Sequence, residues 1–381
     1  MGQTLIDLMD RLDMWRLKST VSDEEPDGLL LVSSGGIGDT LLFRLIIDRF
    51  NSLLRPNEQV HLVVRKECRH VAFLFPKKVQ VYAVDYLRFH KSRPYRREVC
   101  KKIKGLNLRI AGSTDHLRHP LIDDVIVRGS GAPQKFALYP RAWPKYDALL
   151  VRNTKQYDTL VHVPDYMEHR LIRWWHLANK VCGEIKPIPK VSLPKTALPT
   201  PALLKRDLFM IHPFSAIKER QYSVKTFQSI LEVLPADCNI ALSCGPEDIE
   251  RNPEYKILLD DARTYADSST LEEKASTLQA VRLVISIDSS VMHLATLCGA
   301  PTICLASSAH VVDSIPYDDR MIPDNVYFLY HDMECRMCLG QCSRPLEDNR
   351  YACIARMETG TVLDKITDFL NKTNRFDKTI V

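Results

Sequence analysis

The chain has 381 residues and a formal net charge of +5, and with 45% hydrophobic and 26% charged residues it has the composition of a soluble globular protein long enough for two cores. The positive excess is too mild for a dedicated nucleic-acid binder and favours anionic small molecules or an anionic membrane surface. Eleven cysteines, mostly single and inside apolar runs such as Ile303-Cys304-Leu305, indicate reduced thiols in a reducing compartment and argue against a secreted disulfide framework.

The first twenty residues mix Asp7, Asp10, Arg11 and Asp13 with Leu5, Ile6, Leu8, Met9, Leu12, Met14, Trp15 and Leu17. That pattern predicts an amphipathic helix, docked on the protein or lying on a membrane face, and it lacks the charged start and apolar core of a signal peptide. Leu29 to Val32 then predicts a buried strand, Ser33 to Asp39 a small-residue turn, and Thr40 to Phe50 a helix. Further strands are expected at 60–64, 78–84, 108–111 and 159–163, with a basic helical stretch from Phe89 to Lys104. Pro187, Pro189, Pro194, Pro199 and Pro201 follow closely, a density that both helix and interior strand resist. The same rhythm restarts with strands at 208–211, 239–243, 283–287 and 302–305, helices at 224–234 and from about 291 to 297, and a last helix at 361–370. Two consecutive strand–helix series predict two doubly wound α/β domains, residues 1–190 and 207–381, joined by a proline-rich linker at 191–206.

The most informative stretch is Asp288-Ser289-Ser290-Val291-Met292-His293-Leu294-Ala295, directly after the apolar run 283–287. An acid and two hydroxyls fall at the carboxyl end of a buried parallel strand, where open α/β sheets bind ligands, and the following helix would aim its free N–H groups at the same spot. An ordinary helix cap gives the same pattern. The glycine turn Gly35-Gly36-Ile37-Gly38 is no dinucleotide fingerprint, because Leu41 occupies the third glycine position and the second strand ends in Arg65-Lys66 in place of an acid. It would instead let a large ligand approach the backbone, with Asp39 beside it as a general base or as a helix cap. In the second half Ser215 and Lys218 follow a strand end and suit a diphosphate, and Glu247 after Gly245-Pro246 suits a ribose.

Taken together, Gly35 to Asp39, His212 to Gln221, Gly245-Pro246-Glu247 and Asp288 to Ala295 resemble glycosyltransferase family 9, the family of bacterial lipopolysaccharide heptosyltransferases. The resemblance implies a GT-B fold, two Rossmann-like domains facing an interdomain cleft, with the nucleotide sugar on the second and the acceptor on the first. It further implies inversion by direct displacement with no cofactor or metal, Asp39 as base, Ser215 and Lys218 on the phosphates, and Asp288, Ser289, Ser290 and His293 in the donor site. Ser290 where the family usually has Gly, Tyr222 where it often has Trp, and Thr40 to Arg44 after Asp39 are departures that bear on the heptose donor and the lipopolysaccharide acceptor. The expected function is a cytoplasmic bacterial transferase, soluble or peripheral at the inner membrane, moving a sugar from a nucleotide-diphosphate donor, ADP-heptose favoured, to a glycolipid or glycan hydroxyl. A sister transferase with another donor or a protein acceptor, and a non-catalytic, metal-stabilised binding or scaffold protein of the same fold, are the alternatives.

Two features stand outside that pattern. Cys335, Cys338, Cys342 and Cys353 have spacings that suit a structural zinc or iron, with reduced thiols or a redox-labile disulfide in a surface loop as the alternatives. Arg65, Lys66, Arg93, Arg96 and Arg97 form the basic surface best suited to an anionic acceptor, while Phe89 and Tyr95 are too few aromatics to stack nucleic-acid bases.

Overall fold

The computed structural model describes residues 25–163 and 168–377. The helix expected over the first twenty residues lies outside them. The chain divides into two compact units, Met1–Ile188 and Pro189–Val381.

The first unit holds a parallel sheet of β1 (Leu29–Val32), β2 (Val60–Arg65), β3 (Val79–Val84), β4 (Ile110–Ser113), β5 (Gln134–Leu138) and β6 (Thr159–Val161), in the order β3-β2-β1-β4-β5-β6. The second repeats the arrangement with β7 (Leu208–His212), β8 (Asn239–Ser243), β9 (Thr264–Asp267), β10 (Leu283–Ile287), β11 (Thr302–Leu305) and β12 (Val326–Leu329), in the order β12-β11-β10-β7-β8-β9. Central strands β1, β7, β10 and β11 are buried along their whole length, which is why they read as continuous apolar runs and not as alternating ones. In each unit the strand order reverses once, between β1 and β4 and between β7 and β10. At such a point the connections on either side leave in opposite directions and open a crevice at the carboxyl ends.

The strands that pattern alone did not predict are β5, β9 and β12. β9 lies at a sheet edge with the sequence Thr-Tyr-Ala-Asp and no buried residue, so it shows no apolar run to find. β4 starts two residues later than expected and ends in Gly112-Ser113. The basic stretch 89–104 is two helices, Tyr86–Lys91 and Arg93–Lys104; Ser92 between them accepts from Tyr95 N through its hydroxyl, and Pro94 lies in the first turn of the second. The proline-rich segment is laid along the second unit, with Val191 N donating to Met321 O at 2.8 Å, Leu193 N to Leu297 O at 2.8 Å and Ala202 N to Ser276 O at 3.0 Å.

Inside the first unit lies an ion pair cut off from water. Arg118 Nε meets Asp124 Oδ1 at 2.7 Å with both side chains at 0% exposure, and Arg118 Nη1 donates to Leu138 O. Asp124 also accepts from Tyr157 Oη at 2.5 Å and Asn153 Nδ2 at 3.0 Å. A buried charge is tolerated when its partner and remaining lone pairs are satisfied, and removing one partner strands the other. Asp124→Ala is therefore expected to cost the first unit about 3–5 kcal/mol, measured by denaturant unfolding; a loss under 1 kcal/mol (about a surface pair's worth) would contradict this.

Candidate active site

Each order reversal gathers a guanidinium and a carboxylate. In the second unit Asp288 follows β10, and its Oδ2 receives Arg220 Nη2 at 2.5 Å, with the two side chains only 9% and 14% exposed. Arg220 comes from the loop after β7, the strand paired with β10 across the reversal. Ser289 caps the helix Ser290–Leu297 by accepting from Met292 N, and it shares a hydrogen bond of 3.1 Å with the Ser286 hydroxyl. Helix geometry leaves the first-turn N–H groups without intrahelical acceptors, so they add positive potential at the same strand end. His293 Nε2 stands 3.9 Å from Asp288 Oδ1, and its Nδ1 pairs with Tyr317 Oη at 2.6 Å. Burial holds the Tyr317 phenol well above its ordinary range, so it is neutral and can donate to that ring nitrogen.

The other donor-site candidates are not gathered there. Lys218 is 61% exposed and pairs with Glu254 at 3.2 Å. Glu247 is 65% exposed and pairs with Arg251 one helical turn on; the acid that reaches back to Gly245 N is Asp248. Ser215 is half-buried and its hydroxyl accepts from Ile217 N at 3.2 Å. The cation facing Asp288 is thus Arg220, in the same loop as Lys218 and two residues further on.

In the first unit the glycine turn serves Asp39 itself. Gly36 precedes the helix Ile37–Ile47, and Asp39 in its first turn accepts from Gly36 N on Oδ2 at 2.9 Å. A β-carbon at Gly35 would lie 2.3 Å from Asp39 Cβ, so the space expected for a ligand's approach is filled by the Asp39 side chain. Asp39 Oδ1 forms an ion pair with Arg170 at the start of the helix Arg170–Cys182. The cap and the availability for chemistry are therefore divided between two oxygens of one carboxylate.

Across the reversal, just beyond β4, Asp115 accepts from both Ser34 N at 2.5 Å and Ser34 Oγ at 2.9 Å. Burial raises its carboxyl while Arg170 opposes the shift. Asp123, fully buried and accepting from His119 N at 2.5 Å, is pushed up to about 8, first by burial and then by Asp115. The His119 ring is lowered to about 4, chiefly by burial. Placing β4 two residues too early hid Asp115 from sequence reasoning, and nothing in the sequence marked Arg170 or Tyr317.

Of the basic residues considered for an acceptor, Arg96 must be withdrawn: it is buried, and its Nε and Nη2 donate to Phe89 O at 3.0 Å and His90 O at 2.8 Å, closing the end of the helix Tyr86–Lys91. Arg65 pairs with Glu67 at 3.0 Å and Lys66 with Asp85 at 2.7 Å. Arg93 and Arg97 lie in the first turns of the helix Arg93–Lys104.

Cys335, Cys338, Cys342 and Cys353 line a single small cavity, with room for about one water-sized guest. Among the described residues no three His, Cys, Asp or Glu side chains stand at metal-holding separations, so the four thiols converge without forming a ligand set.

Residues 153–334 match the family described as Glycosyltransferase family 9 (heptosyltransferase). That region belongs to glycosyltransferase family 9. The chain is accordingly an enzyme of the glycosyltransferase type, and its fold is of the GT-B type. A family 9 glycosyl transferase from Veillonella parvula is similar over 92% of this chain and 99% of its own, with TM-score 0.66 and 12% identity. The E. coli heptosyltransferase WaaC with ADP-2-deoxy-2-fluoro heptose is similar over 89% and 99%, with TM-score 0.62 and 17% identity. The iron-containing dodecameric glycosyltransferase TibC from enterotoxigenic E. coli is similar over 93% of this chain and 78% of its own, with TM-score 0.52 and 12% identity. No curated protein sequence matches the chain.

The Asp123 carboxyl gives a test of this environment. Its folded value lies above the unfolded one, near 3.9, so between about pH 4 and 8 the folded protein holds a proton that the unfolded chain has released, and stability falls as pH rises. Asp123→Asn is expected to flatten that decline, whose limiting slope is about 1.4 kcal/mol per pH unit. Denaturant unfolding of both proteins at pH 5 and pH 8 measures it, and equal declines would contradict the assignment.

Proposed function

We propose that this enzyme transfers a sugar from a nucleoside diphosphate, ADP-heptose being the favoured donor, to a hydroxyl of a lipopolysaccharide or other surface glycan, with inversion. The observation that carries the reading is the Arg220–Asp288 ion pair at the end of β10, beside the amino end of the helix Ser290–Leu297. A largely buried guanidinium and the positive amino end of a helix suit the charge that builds on a departing diphosphate. Asp288 would orient Arg220 and meet donor hydroxyls, with His293 held behind it by Tyr317. Ser215, Ser289 and Ser290 supply hydroxyl donors for the phosphates, and Lys218 and Glu247 belong to the outer rim of this reading. The ADP-sugar ligand of WaaC supports an adenine nucleotide.

Asp39 is the proposed base. An acceptor hydroxyl would replace a guanidinium N–H of Arg170 on Oδ1 while Oδ2 stays on Gly36 N, which keeps the base oriented as it takes the proton. The acceptor oxygen then attacks the anomeric carbon as the bond to the diphosphate breaks. Arg65, Lys66, Arg93 and Arg97 are proposed contacts for an anionic acceptor. No described helix is long and apolar enough to cross a membrane, and we place the enzyme in the bacterial cytoplasm, peripheral at the inner membrane where the acceptor is a lipid.

Asp39→Asn is expected to lower turnover about 10²- to 10⁴-fold with nucleotide affinity unchanged, whereas Arg220→Ala and Asp288→Ala are expected to weaken binding of ADP and ADP-heptose. Calorimetry against ADP, UDP and GDP, beside turnover, measures both; wild-type binding to none of them would overturn the donor site.

A second reading concerns the four clustered cysteines. Their convergence on one small cavity supports a structural zinc or iron that draws the thiols in on binding. Elemental analysis of the purified protein is expected to give about one equivalent of metal, lost in Cys335→Ser/Cys338→Ser; metal-free wild-type protein with a full complement of reactive thiols would leave a plain thiol cluster.

A further inference from the structure

The loop that carries Arg220 is held from outside by the cysteine-rich segment. Tyr351 N donates to Glu219 O at 2.9 Å, and Arg350 Nε donates to Gln221 O at 3.1 Å. The carbonyls on both sides of Arg220 are thus fixed by two consecutive residues. The loop needs such support, because Lys218–Arg220 is only a three-residue 3₁₀ turn with little cohesion of its own.

Tyr351 is anchored at its far end as well. Its hydroxyl donates to Gly340 O at 3.3 Å, between Cys338 and Cys342, and its side chain lines the same cavity as the four cysteines. Cys353 follows two residues later and is buried, which raises its thiol. The cysteine loop is in turn pinned beyond β11, by Met337 N to Ser308 O at 3.0 Å and Leu339 N to Ala309 O at 2.9 Å. Both residues adopt left-handed backbone, with φ of 66° and 51°, a conformation that non-glycine residues hold only where their surroundings impose it.

We propose that residues 335–353 act as a clamp that positions Arg220, with Arg350 and Tyr351 transmitting the packing of the four thiols to recognition of the donor's diphosphate. The inference rests on the donor-site reading above. Arg350 and Tyr351 are positioning residues: they touch the loop and act through Arg220. Any change that rearranges the thiols, whether oxidation, alkylation or metal loading, reaches the diphosphate through these two contacts.

The test compares the wild type with Arg350→Met, Tyr351→Phe, Cys338→Ser/Cys342→Ser and Arg220→Ala. Calorimetry gives Kd for whichever of ADP, UDP and GDP the wild type binds best, and for the matching nucleoside, which lacks the phosphates. Loss of one hydrogen bond to the loop is expected to raise the diphosphate Kd about three- to ten-fold in Arg350→Met, with the same direction in Tyr351→Phe and the cysteine variant and an unchanged nucleoside Kd. A merely structural defect would move both ligands together and lower Tm, which overturns the clamp. Unchanged diphosphate affinity in Arg350→Met, alongside weakened binding in Arg220→Ala, overturns it too. Should Arg350→Met not fold, Tyr351→Phe decides, since it removes a single oxygen. A wild type that binds no nucleoside diphosphate overturns the donor-site reading and the clamp with it.

Discussion

A doubly wound parallel sheet delivers every strand's carboxyl end to the same edge, and the order reversal decides where along that edge space opens. In this chain the reversals fall between β1 and β4 and between β7 and β10. Asp39 and Asp115 follow the first pair, and Arg220 and Asp288 follow the second. Residues distant in sequence therefore meet without a loop having to fold in isolation. The fully buried central strands hold those ends in place, and substitutions at the ends need not disturb the core.

Both crevices are electrostatically prearranged in the absence of ligand. Each crevice carries a carboxylate paired with a guanidinium, and each pair is sheltered enough for its geometry to be maintained. The first unit adds two more deeply buried acids beside Asp39, Asp115 and Asp123, and burial raises the carboxyls of both. One crevice thus combines an ion-paired carboxylate with one that burial holds protonated at neutral pH.

The two-unit architecture was legible in the sequence because continuous apolar runs at β1, β7, β10 and β11 are what two-sided burial produces. Edge strand β9 was not, since it buries nothing and carries no pattern. Asp288, Ser289 and His293 were legible because a strand end followed by a helix start fixes their place from local sequence alone. Arg220 and Arg170 were not: a guanidinium sits at the end of a long side chain, and only tertiary structure says which carboxylate it meets. Arg96 illustrates the converse, a charge that looked like surface and is spent on two carbonyls. The four cysteines were legible as a cluster, but their link to the Arg220 loop, from Tyr351 N and Arg350 Nε to the carbonyls of Glu219 and Gln221, depends on tertiary placement that no local pattern encodes.

The proline-rich segment at the start of the second unit has a consequence of its own. Its prolines limit the conformations open to the unfolded chain, so fixing the segment costs less entropy than fixing an ordinary strap of equal length. Its backbone caps polar groups at Leu297, Met321 and Ser276 that would otherwise face solvent or lie unmatched. A fragment meant to represent the second unit alone should begin at Pro189 and not at the first residue of β7, because the eighteen or so residues between them are part of that unit's surface and not a tether.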